Sequence, residues 1–183
     1  MKIPNSGRKK ALFLIDIQSD FLDARNKYII DNIKKLLDKV KYDIYIEAVF
    51  YSKKGSLWDL QQHIIFPLGD KTKTVDDLKN VYSKLKIVQV KKQTRSIFKE
   101  DQNKLLQILK DNDIEEVHLV GTQTNDCILA SAFDAFDNGY IPYVIEECCE
   151  TATKELQKYG IALFRRQHMS NNSVIEKADF IEI

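Results

Sequence analysis

Short apolar blocks alternate along the chain with stretches in which apolar residues recur at helical spacing. Residues 11–17 are apolar but for Asp16, the pattern of a strand buried on both faces. Residues 26–40 carry Ile29, Ile30, Ile33, Leu36, Leu37 and Val40 at a helical period. A second strand is expected over 44–51, and a third over 87–90, leading into Lys91 and Lys92. A helix over 102–110, a strand over 117–120 and a helix over 125–137 follow, the last ended by Asn138-Gly139 as by a C-cap. A fifth strand over 141–145 precedes helical 151–159 and 161–166, and 180–183 is expected to close the sheet as a sixth strand. The segment 52–74 reads as irregular, with Gly55, Pro67, Gly69 and the single Trp, Trp58. This alternation predicts a doubly wound α/β fold: a mostly parallel six-stranded sheet with helices on both faces, a Rossmann-like three-layer sandwich.

The bulk numbers narrow the functional classes. With 183 residues, the chain suffices for one domain, 1–183, with a sizeable core. Its 28 basic and 27 acidic residues leave a net charge of +1, which gives no electrostatic case for nucleic acid or an anionic membrane as partner. The apolar run behind the basic residues 1–10 is short and lacks a small-residue cleavage site. It reads as a buried first strand, and nothing approaches the length of a membrane-spanning helix. The three cysteines, Cys127, Cys148 and Cys149, are odd in number and include an adjacent pair, so a disulfide framework is not expected and a reducing cytoplasm fits. Cys148 and Cys149 lack a Cys-x-x-Cys spacing or a His pair and read as small buried residues at a strand end.

Candidate chemistry centres on Cys127, which follows the run Val117-His118-Leu119-Val120 and a Gly-bearing turn. A helix start offers free N–H groups and partial positive charge, so the thiol there is expected to have a lowered pKa. The same N–H groups suit a developing oxyanion. Asp16 and Lys92 each lie at the C-terminal end of an expected strand, where open α/β sheets place their ligands.

Three motifs, in order, carry a resemblance. Asp16-Ile17-Gln18-Ser19-Asp20-Phe21 follows the first strand; Lys92-Gln93-Thr94-Arg95-Ser96-Ile97-Phe98 follows the third; Gly121-Thr122-Gln123-Thr124-Asn125-Asp126-Cys127 follows the fourth. Together with Ala132, Asp134, Ala135 and Gly139-Tyr140, they resemble the isochorismatase-like cysteine hydrolases, which include nicotinamidases, carbamoylsarcosine-type amidohydrolases and isochorismatases. The resemblance implies a catalytic triad of Cys127, Asp16 and Lys92. It also implies a cis peptide at Thr122–Gln123 and an oxyanion hole formed by the backbone N–H groups of Gln123 and Cys127. On chemical grounds, Asp16 is suited to take the thiol proton and return it to a leaving amine, with Lys92 favouring the charged forms of both.

The expected activity is therefore cleavage of a C–N bond in a small amide or carbamoyl compound through a thioester. A vinyl ether hydrolase needs no thiol, so Cys127 favours acyl chemistry; the alternatives are such an ether hydrolase or an idle family member acting as a binding protein. Metal-dependent nicotinamidases carry Asp-x-His after the second strand, whereas this chain has Tyr51-Ser52-Lys53-Lys54-Gly55 there. No metal or other cofactor is expected, and His63 with Asp59 or Asp70 has no recognisable ligand spacing. His118 reads as a satisfied core residue, and His168 has no motif around it. Substrate contacts are expected from Phe21, Trp58, Arg95, Ile97 and Phe98. The partner is a small-molecule substrate, and the resemblance implies a homo-oligomer, dimer or tetramer.

Overall fold

The computed structural model describes residues 1–23, 26–69, 73–175 and 179–183. Its strands are β1 (Lys2–Asn5), β2 (Lys10–Ile15), β3 (Ile44–Phe50), β4 (Ile87–Lys92), β5 (Glu116–Thr122), β6 (Ile141–Glu150) and β7 (Asp179–Glu182). The α-helices are α1 (Tyr28–Lys39), α2 (Leu57–Gln62), α3 (Asp76–Tyr82), α4 (Gln102–Asp111), α5 (Leu129–Asp137) and α6 (Lys154–Arg166). Five strands form a parallel sheet in the order β4-β3-β2-β5-β6.

Successive side chains of β2 feed opposite cores, as strand geometry demands. Ala11, Phe13 and Ile15 pack with Leu105 and Leu109 of α4, Ala132 and Ala135 of α5 and Phe164 of α6. Leu12 and Leu14 pack with Ile29, Ile30, Ile33 and Leu36 of α1 and Leu78 of α3. The sheet therefore has helices on both faces, as the alternation predicted. Chain order runs outward from β2 to β4, then returns to β5 on the other side. Strand order thus reverses between β2 and β5, the switch point at which such sheets bind ligands.

Several local expectations change. The 180–183 segment does not join the main sheet: β7 pairs antiparallel with β1, a strand the sequence reading left out. The outer edge of β6 is already occupied, because Val144 N–H donates to Met169 O (2.7 Å) and Asn171 N–H donates to Val144 O (3.1 Å). A sixth strand there has no backbone groups left to pair with at that point. The two expected helices around Gly160 are one continuous helix, α6, capped by Thr153, whose hydroxyl accepts from Leu156 N–H. The segment expected to be irregular contains α2, capped by Ser56.

Candidate active site

Close packing at the switch point fixes the site's backbone. Gly121 has φ +124°, and a Cβ there would lie 2.0 Å from Ile15 O, so β2 and β5 converge only because this position lacks a side chain. Asp16 then turns out of β2 with φ +52°, its N–H donating to Ala48 O (3.0 Å). Thr122 Oγ1 donates to Asp16 O at 2.9 Å and ties the two strand ends together. Gln18 bonds both backbone groups of Phe50: Nε2 donates to Phe50 O (2.9 Å), and Phe50 N–H donates to Oε1 (2.7 Å). Its side chain thereby prolongs the β3 ladder beyond the end of β2.

Lys92 ends β4 with its side chain fully out of water. Its ammonium donates to Asp16 Oδ2 (2.7 Å), Thr94 O (3.1 Å) and Cys127 Sγ (3.4 Å), and lies 5.4 Å from the centroid of the Phe50 ring. Burial opposes its charge, but Asp16 and Cys127 outweigh burial and hold its pKa above the ordinary lysine value. Burial raises the Asp16 carboxyl above its usual range, against the pull of Lys92. Asp16 Oδ1 has no hydrogen-bond partner among the described residues. An acceptor left unpaired in a buried site is available to a thiol proton or a substrate N–H.

Cys127 sits in a π-turn, Thr124–Ile128, ahead of α5 and not in the first turn of a regular α-helix. The expectation of a lowered thiol pKa is overturned. Burial pushes the thiol well up, Asp16 adds to the shift, and Lys92 opposes it. At 8% exposure, the thiolate loses most of its hydration. Burial thus favours the protonated thiol, and the Asp16 carboxyl lies across Lys92 from it.

The turn is braced from α6. Gly160 faces it so closely that a Cβ would meet Thr124 Cγ2 at 3.1 Å and Asn125 N at 3.4 Å. The Thr151 hydroxyl lies 3.0 Å from Gln123 Oε1 and 2.5 Å from Asn125 Oδ1. The peptide Thr122–Gln123 is cis, at the position expected.

A cavity of about 150 Å³ opens over the thiol. Phe21, Phe50, Trp58 and Ile64 form its apolar wall, and Asp16, Gln62, Arg95, Thr122, Gln123, Asp126 and Cys127 supply polar groups. Phe21 stacks on Phe66 (5.0 Å between centroids), and Trp58 meets Phe50 edge-on (4.9 Å). The Trp58 indole N–H donates to Gln93 O at 2.5 Å. The structure thus gathers Asp16, Phe21, Trp58, Arg95, Gln123 and Cys127 around one cavity, with Lys92 behind it. Ile97 and Phe98 are elsewhere: both are fully buried in the core, where Phe98 packs on Phe13 and Tyr140. Phe50, Gln62, Ile64 and Asp126 are cavity residues that sequence reasoning passed over. Asp126, beside Cys127, was the one with a readable signal.

No group of three or more His, Cys, Asp or Glu side chains able to hold a metal ion occurs among the described residues. His63 ends α2, Asp59 accepts Gly55 N–H, and Asp70 lies outside the described residues. His118 is a core residue, 2.6 Å from Glu116 Oε1 and 2.9 Å from the Tyr42 hydroxyl. Cys148 and Cys149 are buried, free thiols. No helix among the described residues is long and apolar enough to cross a membrane.

Comparison with known proteins follows the same lines. A family model described as an isochorismatase domain matches residues 10–178. Isochorismatase family protein 2A of Dictyostelium discoideum is 28% identical over 165 residues, 87% of this chain and 74% of that protein. The fold is similar to that of an isochorismatase-like hydrolase from Alkaliphilus metalliredigens (TM-score 0.74, 20% identity, 88% of this chain and 92% of that one). It is also similar to nicotinamidase PncA from Bacillus subtilis (TM-score 0.71, 21% identity, 86% and 94%). A third similar structure is PnC1 from L. infantum in complex with nicotinate (TM-score 0.76, 15% identity, 93% and 95%).

Proposed function

The chain belongs to the isochorismatase family of hydrolases, and from that premise we propose that it cleaves the C–N bond of a small amide or carbamoyl compound through a thioester on Cys127. The observation that carries this reading is the Lys92 ammonium held between Asp16 and Cys127 beside an aromatic-walled cavity. In the proposed first step, the Cys127 sulfur bonds to the substrate carbonyl carbon while the thiol proton passes to Asp16. The carbonyl oxygen, now anionic, is received by the backbone N–H groups of Gln123 and Cys127. Asp16 gives the proton to the nitrogen as the C–N bond breaks, and ammonia or an amine leaves. Water then attacks the thioester with Asp16 as base, restoring the thiol and releasing the acid. Lys92 keeps the Asp16 carboxylate oriented and offsets the negative charge it carries between steps.

Two physical points support the general-base version over a preformed thiolate. Burial pushes the thiol pKa well up, and it also raises the adjacent carboxyl toward a more basic range. Amide hydrolysis is favoured over vinyl ether cleavage because the thiol stands in the cavity wall, where an ether hydrolase has no use for it. The reading includes metal-independent turnover, since the residues after β3 do not assemble a ligand set among those described. The nicotinamidases among the structural neighbours make small aromatic amides worth including in any screen. The three free cysteines suit a reducing compartment. The test is ammonia release over a panel of small amides and N-carbamoyl compounds, with Cys127→Ala as blank. Thiol-dependent release from at least one compound is expected; turnover of amides by Cys127→Ala at the parental rate would overturn the mechanism.

A further inference from the structure

The charged groups around the cavity cancel in pairs. Lys92 and Asp16 form one pair at 2.7 Å, fully buried. Arg95 and Asp126 form the other: Arg95 Nε lies 2.5 Å from Asp126 Oδ1, and both residues line the cavity with Cys127. The guanidinium is also stacked 4.6 Å from the centroid of the Trp58 ring. Trp58 is itself fixed by its bond to Gln93 O and its edge contact with Phe50. Arg95, half-exposed, is thus held on two sides, and its Nε–H already faces the Asp126 carboxylate before any substrate arrives. Among the described residues that line the cavity, no other cationic side chain is present.

This arrangement bears on which acyl group the cavity accepts. A substrate carboxylate entering it would lose hydration and find the Nε edge of Arg95 engaged, with the Asp126 carboxylate in repulsion. An uncharged group meets Phe21, Phe50, Trp58 and Ile64 and bears neither cost. Resting on the assignment of the Cys127 cavity as the substrate site, we infer that Asp126 is a specificity-determining residue. By occupying Arg95 it reserves the site for uncharged acyl groups and excludes those bearing a carboxylate. Asp126 makes this discrimination as a repulsive element, through the charge it places beside the nucleophile.

The test uses two alkylating probes of nearly equal size, neutral iodoacetamide and anionic iodoacetate. Each forms an S–C bond at Cys127 as iodide leaves and the thiol proton is lost. Second-order rates at Cys127 are read by peptide mass and normalised to a small free thiol, which removes the intrinsic difference between the probes. The full-length protein is expected to favour iodoacetamide. Asp126→Asn should lower the neutral-to-anionic ratio by roughly tenfold, because it frees one cation beside the thiol. Arg95→Gln should raise the ratio, because it leaves Asp126 unopposed, and the double variant should return it near the parental value. The opposite responses of the two single variants keep the test decisive if one of them fails to fold. A ratio unchanged within twofold in a folded Asp126→Asn or Arg95→Gln, or shifted in the same direction in both, overturns the proposal. The amide reading fails separately, by absence of ammonia release from uncharged amides, and the alkylation ratio does not depend on it.

Discussion

Lys92 Nζ lies 2.7 Å from Asp16 Oδ2, with both side chains essentially out of water. A buried pair of this kind is costly to break from one side, because the remaining charge has nowhere to go. Lys92→Met should therefore lose stability by about 3 kcal/mol or more and most of its activity. Denaturant midpoints and ammonia release measure the two effects. A variant with parental stability would show that the pair carries no such weight.

The same pair sets the acid limb of the pH profile. In the proposed mechanism Asp16 acts as base only when ionised, and its pKa is raised by burial and lowered by Lys92. The kcat/KM should fall as pH drops through a value above the ordinary aspartate range. In Lys92→Ala that limb should move to higher pH, because the charge that favours ionisation is gone. The alkylation profile of Cys127 should move the same way, since Lys92 also favours the thiolate. Unchanged profiles in a folded Lys92→Ala would remove Lys92 from the proton inventory.

Gly160 braces the turn that carries Cys127 from α6. Gly160→Ala gains helix propensity worth roughly 0.5–1 kcal/mol, yet its methyl meets Thr124 Cγ2 at 3.1 Å. Thermal stability should change little while kcat falls, as the turn carrying Cys127 is pushed. Gly160→Leu should lose both. A kcat at the parental level in Gly160→Leu would show that α6 does not position the turn.

Gly121→Ala should fail at the level of folding. A Cβ 2.0 Å from Ile15 O, at φ +124°, forces β5 away from β2 and separates the strand ends that hold Asp16 and Cys127. A loss of about 3 kcal/mol or more is expected. A melting temperature within a few degrees of the parent would contradict the close-approach argument.

Exhaustive chelation should leave turnover intact. His63 and Asp59 are engaged in ending and capping α2, and they do not converge with a third ligand among the described residues. Loss of activity with EDTA, restored by one divalent ion, would require a ligand set that this reading does not contain.

Much of this arrangement was legible in the sequence because it depends on strand ends. Asp16 and Lys92 interrupt apolar runs where a parallel sheet delivers its C-terminal edge, and parallel register brings those edges together. The upward shift of the thiol pKa was not legible, because it depends on how deeply the turn is buried and on the carboxyl group across from it. The cavity wall was half legible for a related reason. Phe21 and Trp58 lie in the segments that follow β2 and β3, near the site, but Ile97 and Phe98, chosen by proximity to Lys92, turn into the core, while Phe50 and Ile64 take the wall. The fate of 180–183 depended on residues 169–171 covering β6, a tertiary competition that no local pattern encodes.

The central claim is that Cys127 forms a covalent bond to the acyl group. Acid-quenching the protein during turnover of an ammonia-releasing amide, followed by intact and peptide mass measurement, tests it directly. The account predicts an added mass on Cys127 equal to the acyl group less the displaced thiol hydrogen, and in Cys127→Ala no adduct and ammonia release lowered by about a thousandfold or more. Near-parental turnover in Cys127→Ala, with no adduct in the parent, would contradict it.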